Sequence, residues 1–298
     1  MTNSPKGVTK RNTIGTSTLS ETWRIKYVQS MLNLALRTAL VAEKVCRVDR
    51  SDAKYISNPY LTGATASIAA IAGTYTVSTA TTTDDALTVS DQVTYAIHLF
   101  EFEETLARAD LFGSFVQDMT NAVGVIVDKF VLNKVLDGAT SSYAAPAGGF
   151  TVASNINEIF ANITAKVAGY SDSSAGLFSV VENTDLVGLV QAGMSNGFSF
   201  ADATLNNGFG GRYAGVDVYV VRTGTFVTET IGTLTATNVN HRLAGVKNVA
   251  TYAAPRGIQY DEKKVTLKTG REVSCWANVG AKVWTPKAAL LIDIDVSA

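Results

Sequence analysis

The sequence of 298 residues is poor in the side chains that catalysis and metal binding use most often. It contains two cysteines, Cys46 and Cys275, and two histidines, His98 and His241. Neither cysteine belongs to a C-x-x-C pair, and neither histidine has a second ligand at a suitable spacing, which argues against a metal centre. We expect both thiols to be buried and unpaired, and we expect no cofactor.

Long apolar runs and a strong net charge are also missing. No apolar run reaches the ~18 residues of a membrane span, and the polar first residues, with Pro5 and Gly7, predict no export signal. We therefore expect a protein made and kept in a cytoplasm, without a membrane partner. The formal net charge of −1 excludes a chain that binds polyanions over its whole surface.

The charges that are present are unevenly distributed. Residues 1–50 carry nine basic and three acidic side chains, whereas residues 51–110 carry two basic and eight acidic ones. Two such segments can attract each other between copies of the chain. Two solvated faces are the commoner explanation of charge runs.

Apolar periodicity predicts an α+β fold. After an extended Thr/Ser-rich arm, a first helix capped by Ser20 is expected from Glu21 to about Val45. The most regular element is a very long helix from residue 99 to residue 137, called the spine helix below. A shorter helix is expected over residues 155–168. The buried face of the spine helix is expected to consist of Phe102, Leu106, Phe112, Phe115, Met119, Val123, Ile126 and Phe130.

Buried strands are expected in the second half of the chain. The segment "LFSVVENTDLVGLVQAG" predicts a strand followed by a short helix, "VDVYVVRTG" predicts a buried strand, and the C-terminal residues are strand-rich. In the last strand Ile292, Ile294 and Val296 face one way. "GFGGRYAG" lacks the third glycine of a phosphate-binding loop, because Tyr213 stands at that position. We therefore interpret its glycines as part of a turn that requires a positive φ. His241 is expected in a loop.

The ribbon "GTYTVSTATTTDDALTVSDQVTYAIHL", residues 73–99, alternates like two strands around a polar tip at residues 81–85. The preceding "DRSDAKYISNPYLTG" is expected to be a loop, because Pro59 and Gly63 break regular structure. The ribbon has few large apolar side chains, and an isolated two-stranded hairpin is marginal in water. We therefore expect it to gain stability from a neighbouring copy of the chain.

This order of elements resembles the major capsid (coat) protein of tailed double-stranded DNA bacteriophages, with the Hong Kong-phage-type capsid fold. The resemblance covers nearly the whole chain and depends on order and spacing, because none of its segments is a strict motif. It is carried by "DQVTYAIHLFEFEETLARADLFGSFVQDMTNAVGVIVDKFVLNKVLDGA", "FSVVENTDLVGLVQAG", "NNGFGGRYAGVDVYVVRTG" and "VGAKVWTPKAALLIDIDV".

The resemblance implies a structural subunit, not an enzyme. Pentamers and hexamers would form an icosahedral shell around double-stranded DNA, without sequence-specific recognition. A separate scaffolding protein and a portal would be partners, and the virion capsid would assemble in the host cytoplasm. The implied parts are an N-terminal arm and helix (1–50), an extended β-hairpin loop (51–98), a peripheral domain with the spine helix (99–150 and 246–285) and an axial domain (151–245 and 286–298).

The candidate site is an interface between subunits. We expect the basic arm of one copy to contact the acidic loop base and early spine helix of another. The candidate interface residues are Arg24, Lys26, Tyr75, Val77, Asp84, Asp85, Leu87, Val89, Glu101, Glu103 and Glu104.

Other functions remain open at this point. An encapsulin-like nanocompartment shares the fold that the resemblance implies, but stores a cargo enzyme instead of DNA. A cytoplasmic enzyme would have to use Glu103, Glu104 or Cys275, and it has little support, since Glu104 and Arg108 more often form an exposed ion pair. A fibre or adhesin conflicts with the long helix and the missing export signal.

Overall fold

A computed structural model describes residues 18–63, 71, 73, 77, 79–99, 110–167, 176–195, 209–264 and 271–297. The helices are α1 (Thr18–Ala39), α2 (Ala42–Val45), α3 (Asp110–Asp137), α4 (Ala153–Val167) and α5 (Leu186–Ser195), and two 3₁₀ turns span Gly149–Thr151 and Thr285–Leu290. The strands are β1 (Arg47–Asp49), β2 (Tyr55–Thr62), β3 (Thr81–Thr88), β4 (Asp91–Leu99), β5 (Ser141–Ala144), β6 (Leu177–Glu182), β7 (Phe209–Tyr213), β8 (Val216–Val221), β9 (Thr228–Ile231), β10 (Leu234–Thr237), β11 (His241–Val246), β12 (Ala250–Ala253), β13 (Ile258–Lys264), β14 (Arg271–Val283) and β15 (Leu291–Asp295).

Two larger sheets share one continuous apolar core. A five-stranded sheet has the order β1-β12-β14-β13, and β4 also pairs with the long strand β14. A six-stranded sheet has the order β5-β15-β11-β6-β8-β7. The described part of the spine helix, α3, packs against strands of both sheets, including β14 and β4 of the first and β11 and β15 of the second. The spine helix therefore joins the two halves of the molecule.

Side-chain amides strengthen this junction. Asn133 of α3 is fully buried and donates from Nδ2 to the carbonyl of Thr225 at 2.8 Å. Its Oδ1 accepts a hydrogen bond from Asn238 Nδ2 at 3.2 Å, and the same Asn238 amide donates to Asp137. Buried amides that are satisfied on both sides hold packed elements in one arrangement.

The helix predicted over residues 155–168 is confirmed as α4. Its predicted inward side chains are all buried, because they recur at the helical period along one face. They are Ile156, Ile159, Phe160, Ile163 and Val167. The predicted strand and short helix are confirmed as β6 and α5, and Ile292 and Ile294 point into the core from β15.

The first helix differs from the prediction at both ends. Helix α1 begins at Thr18, so Ser20 lies inside it, and the helix ends at Ala39 instead of continuing to Val45. The break arises because the Asp128 carboxylate accepts the backbone N–H groups of Val41 at 3.1 Å and Ala42 at 2.8 Å and so caps α2. Loss of water around this carboxyl raises its pKa to about 7, against the two hydrogen bonds that favour the charged form.

The spine helix is described from Asp110, and the predicted residues 100–109 lie outside the described residues. Position 99 belongs to β4. Met119, Val123 and Phe130 are buried as predicted, but Ile126 is 42% exposed. Val127 takes its place in the core, because the packed face follows 119, 123, 127 and 130.

The predicted hairpin is wrong in its pairing. The supposed polar tip, residues 81–85, lies within strand β3, and the supposed loop before it forms β2. These two strands pair with each other, from Tyr55 opposite Thr88 to Thr62 opposite Thr81. β2 tolerates Pro59 because it is an edge strand. β4, which we expected to be the returning strand, pairs instead with β14.

Two smaller expectations have opposite outcomes. Ala214 and Gly215 connect β7 to β8 with φ values of 48° and 84°, which confirms a turn with positive φ in "GFGGRYAG". His241 does not lie in a loop, because it is the first residue of β11 and pairs with Asp295 of β15.

Gly245, in the inner strand β11 of the six-stranded sheet, provides a test of this packing. Its φ is +144°, and an added Cβ would lie 2.3 Å from the carbonyl oxygen of Leu290 on the adjacent chain segment. We expect Gly245→Ala to lower the free energy of unfolding by about 3–5 kcal/mol, from backbone strain and steric overlap together.

The matched control is Gly176→Ala. Gly176 also has a positive φ, +84°, but an added Cβ would meet nothing within 4 Å. We expect Gly176→Ala to lower the free energy of unfolding by about 1–2 kcal/mol, from the unfavourable backbone conformation alone. Urea unfolding of both variants measures the difference, and equal losses would contradict the described contact between β11 and residue 290.

Candidate subunit interface

The hairpin β2–β3 changes character along its length. Near its base Asp85, Leu87 and Val89 are buried, whereas Leu61 and Thr62 at the far end of β2 are exposed. Neither strand pairs with any other described strand. The hairpin is therefore attached to the subunit at its base, and beyond the base it has few contacts with other described elements.

An apolar contact holds the base. Leu87 and Val89 form a separate cluster with Ala253 and Trp284, and Ile56 packs against it. Gly280 of β14 lets the hairpin approach closely, since a Cβ there would lie 3.2 Å from Val89 Cγ2. This cluster packs the hairpin base on the C-terminal end of β14.

Polar contacts centred on Asp85 close the same junction. Its Oδ2 accepts hydrogen bonds from the backbone N–H and the hydroxyl of Thr285, each at 2.9 Å. Its other oxygen pairs with the Lys282 ammonium, which also donates to the carbonyl of Ala86 at 2.7 Å. Burial opposes ionisation of Asp85, but the hydrogen bonds from Lys282 and Thr285 outweigh it and hold the pKa of the carboxyl below its usual value. We call Asp85, Lys282 and Thr285 the base clamp.

Three of the predicted interface residues belong to the hairpin base. Asp85, Leu87 and Val89 are buried against their own subunit, and their part in a contact with a neighbouring subunit stays a prediction. The apolar alternation of β3 was visible in the sequence, whereas its partners at 282–285 lie about 200 residues away, with no local signal. A two-stranded ribbon must pack one face somewhere, and here that face packs on its own β14.

Other predicted interface residues remain accessible. Val77 is 78% exposed, and Asp84 and Lys26 are also exposed. Asp84 accepts hydrogen bonds from Ser57 Oγ at 2.5 Å and from the Tyr55 hydroxyl at 3.4 Å.

The remaining interface candidates fall outside what the structure describes. Arg24 lies in α1, but its side chain is not among the described ones. Tyr75, Glu101, Glu103 and Glu104 lie outside the described residues, so their place in an interface stays a prediction.

A buried charge cluster around Arg242 has a structural role. Arg242 is buried and donates from Nε to Asp185 at 2.5 Å and from Nη2 to Glu182 at 3.3 Å. The second Glu182 oxygen accepts hydrogen bonds from the backbone N–H groups of Gly224, Thr225 and Phe226. Every charge in the cluster is compensated, so the arrangement holds the loop after β8 against β6 and β11.

The described cysteines lack the properties of nucleophiles. Both are buried and unpaired, as predicted. Burial raises the pKa of the Cys275 thiol to about 11, and burial together with the nearby Asp128 raises that of Cys46 to about 12. A reactive cysteine needs the opposite shift, toward the thiolate.

The described residues also contain no group of three or more His, Cys, Asp or Glu side chains able to hold a metal ion. Two open clefts, of about 460 and 590 Å³, flank the hairpin base and share Thr88, Ser90 and Asp91 in their walls. No helix in the described ranges is long and apolar enough to cross a bilayer.

Several solved structures with the same architecture are phage capsids. The capsid of the cyanophage P-SCSP1u matches with a TM-score of 0.61 at 13% identity, over 87% of this chain and 88% of that chain. The mature capsid of bacteriophage PhiM1 matches with 0.59 at 9% identity, over 87% of both chains. This chain has the fold of phage capsid proteins. The predicted capsid fold is confirmed, and the Hong Kong-type assignment within it stays a prediction.

A third structure with this fold is a virus-like particle from Pyrococcus furiosus. It matches with a TM-score of 0.58 at 9% identity, over 91% of this chain and 99% of that one. No protein-family model and no curated protein matches the sequence.

The base clamp yields a direct prediction. Asp85→Ala removes a largely buried carboxylate, so Thr285 loses this acceptor and the Lys282 ammonium loses its counter-charge. We therefore expect a loss of about 2–4 kcal/mol in the free energy of unfolding. Asp84→Ala, one residue away and exposed, should change it by no more than about 0.5 kcal/mol. Urea unfolding of dispersed subunits at pH 7 measures both.

The pH dependence follows from the direction of the pKa shift. Because the pKa of Asp85 is lowered in the folded state, its stabilisation is present above the unfolded value of about 3.9 and is lost as the pH falls below it. Asp85→Asn should therefore lose less stability than the wild type on acidification. An unchanged acid limb would show that the carboxylate is not held as described.

Proposed function

We propose that this protein is a major capsid protein, a structural subunit that assembles with itself into a closed icosahedral shell around double-stranded DNA. The observation that carries the proposal is the hairpin β2–β3. It is clamped to the subunit at Asp85, and its far end leaves apolar side chains such as Leu61 and Val77 in solvent. A projecting, partly apolar arm on a rigid body suits contact with a neighbour. The shared phage-capsid fold supports the same conclusion.

The two sheets suggest how the subunit is divided. We assign the six-stranded sheet to an axial domain around local symmetry axes, and the five-stranded sheet with the spine helix to a peripheral domain. Compared with the expected boundaries, this moves β5 into the axial domain, because it pairs with β15. It moves β4 into the peripheral domain, because it pairs with β14. The hairpin β2–β3 is then the extended loop.

The charge distribution supports contacts between copies. The segment 1–50 has an excess of basic residues and the segment 51–110 an excess of acidic ones, so the arm of one subunit can bind the loop base or early spine helix of the next. The same proposal includes assembly in a host cytoplasm, a scaffolding protein and a portal as partners, and DNA enclosed without sequence-specific contacts.

A nanocompartment shell is the second candidate, and one observation favours it. The virus-like particle from Pyrococcus furiosus has the same fold over 99% of its own chain. The two functions differ in contents, since a capsid holds long DNA and an encapsulin-like shell holds a cargo protein. Nucleic-acid and protein analysis of purified particles therefore distinguishes them.

Electron microscopy of the purified full-length chain tests the shell proposal, with closed shells of uniform diameter expected.

In Arg24→Glu/Lys26→Glu, we expect the protein concentration needed for assembly to rise about tenfold, equivalent to ~1.4 kcal/mol, because attraction to acidic residues becomes repulsion.

The control variant is Lys166→Glu/Lys287→Glu, which changes the net charge equally at exposed sites outside the arm. Assembly of the control should resemble the wild type. Monomers or small oligomers in the wild type would contradict the shell proposal. Equal effects in the two variants would contradict a specific role of the arm.

A further inference from the structure

Exposed large apolar side chains are concentrated on two elements. Of the eleven in the described part of the chain, three lie on α1 and four on the hairpin or between its strands. Those on α1 are Tyr27, Met31 and Leu34, and those of the hairpin are Tyr55, Leu61, Ile71 and Val77. Clustering of this kind marks an interaction surface, whereas scattered exposed side chains need no explanation.

The three side chains on α1 form one stripe. Their spacing of four and three residues places Tyr27, Met31 and Leu34 on the same side of the helix. The opposite side of α1 packs through Val28 and Leu32 into the core, against α3 and β13. We call the stripe the α1 outer face. A surface helix usually has a polar outer side, so an apolar one needs a partner.

Basic side chains border the α1 outer face. Lys26 and Arg37 lie on the exposed side of the helix next to the stripe, and neither forms an ion pair with another described residue. A partner that fits this surface therefore combines an apolar contact with a negative charge beside it.

The hairpin carries that combination on one face. Tyr55, Ser57, Pro59 and Leu61 alternate along β2 and share the side that faces away from the base cluster. Asp84 lies directly opposite Pro59 in the register and is on the same side. We call this the hairpin outer face. Its carboxylate is exposed and has Ser57 and Tyr55 as partners, with no cation among the described residues.

The lengths of the two surfaces allow them to contact each other. Along the hairpin, Leu61 lies about 7 Å beyond the level of Asp84. Along α1, the stripe from Tyr27 to Leu34 spans about 10 Å. A strand that crosses the helix can thus place Leu61 on Met31 and Leu34 while Asp84 reaches a basic side chain at the border. The residues 63–80 beyond Leu61 contain no charged side chain that would oppose apolar contact.

Within one subunit these surfaces do not cover each other, because both remain exposed in the complete described structure. We propose that the α1 outer face binds the hairpin outer face of a second copy of this chain. This inference rests on the proposed shell function and names the receiving surface for the projecting hairpin.

Site-directed cross-linking tests the contact. Two differently tagged full-length chains, Leu34→Cys and Leu61→Cys, are mixed, assembled and mildly oxidised. The native cysteines do not compete, since both are buried. We expect a disulfide-linked heterodimer on a non-reducing gel, with a yield about tenfold above the control pair, because a held contact raises the effective thiol concentration.

The control pair joins Leu61→Cys to Val187→Cys on α5. Leu34 is 66% exposed and Val187 is 58% exposed, so the two thiols have similar access to solvent. Electron microscopy of the same samples shows whether particles have formed. Particles with an enriched heterodimer support the inference. Particles without enrichment overturn it and leave the shell proposal standing. The absence of both particles and cross-link counts against the shell proposal itself.

Charge exchange tests the polar part without relying on cysteines. Lys26→Glu/Arg37→Glu should raise the concentration needed for assembly about tenfold. Adding Asp84→Lys to the same chain should bring the concentration needed for assembly most of the way back to the wild-type value. Every copy then carries reversed charges on both sides of the contact, so the attraction returns. Failure of the third substitution to restore assembly would contradict the pairing of Asp84 with the border of the α1 outer face.

Discussion

The attachment of the hairpin at Asp85 holds on the subunit a pair of strands that no other described strand supports. Strands β2 and β3 pair only with each other among the described strands, and a lone two-stranded hairpin is marginal in water. Two sets of contacts set the direction in which the hairpin leaves the body. Asp85 binds Lys282 and Thr285, and Leu87 and Val89 pack against Trp284. Among the described residues the far end of the hairpin has no comparable support.

The body beneath that attachment is held together by packing and by buried hydrogen bonds. The spine helix packs on both larger sheets, and Asn133 ties it to the loop before β9 and to Asn238. At the other side, Asp91 at the start of β4 accepts the backbone N–H and the hydroxyl of Thr233, which fixes the β9–β10 hairpin to the five-stranded sheet. A body connected in this way, with the hairpin attached to it, fits the proposed shell subunit, since each hairpin can be stabilised by the next subunit.

Local patterns predicted much of the fold. The buried face of α4 and the strand-to-helix step of β6 and α5 follow from periodicity within a few residues. The hairpin was mispaired because Pro59 is typical of a loop and the Thr/Asp run of β3 is typical of a turn. The contacts that bury the base of β3 lie near residue 284, far away in the sequence. The candidate site shows the same limit. Exposed Val77 and Asp84 could be named from the sequence, whereas the base clamp joins residues about 200 positions apart.

Amide hydrogen exchange of the hairpin tests the central claim most directly. The account predicts that the backbone amides of Tyr60 and Thr83 exchange rapidly in dilute dispersed subunits and become protected in assembled particles, while those of Leu87 are protected in both. Amides near Tyr60 that are equally protected in the dilute single chain would contradict it, because the hairpin would then need no neighbour.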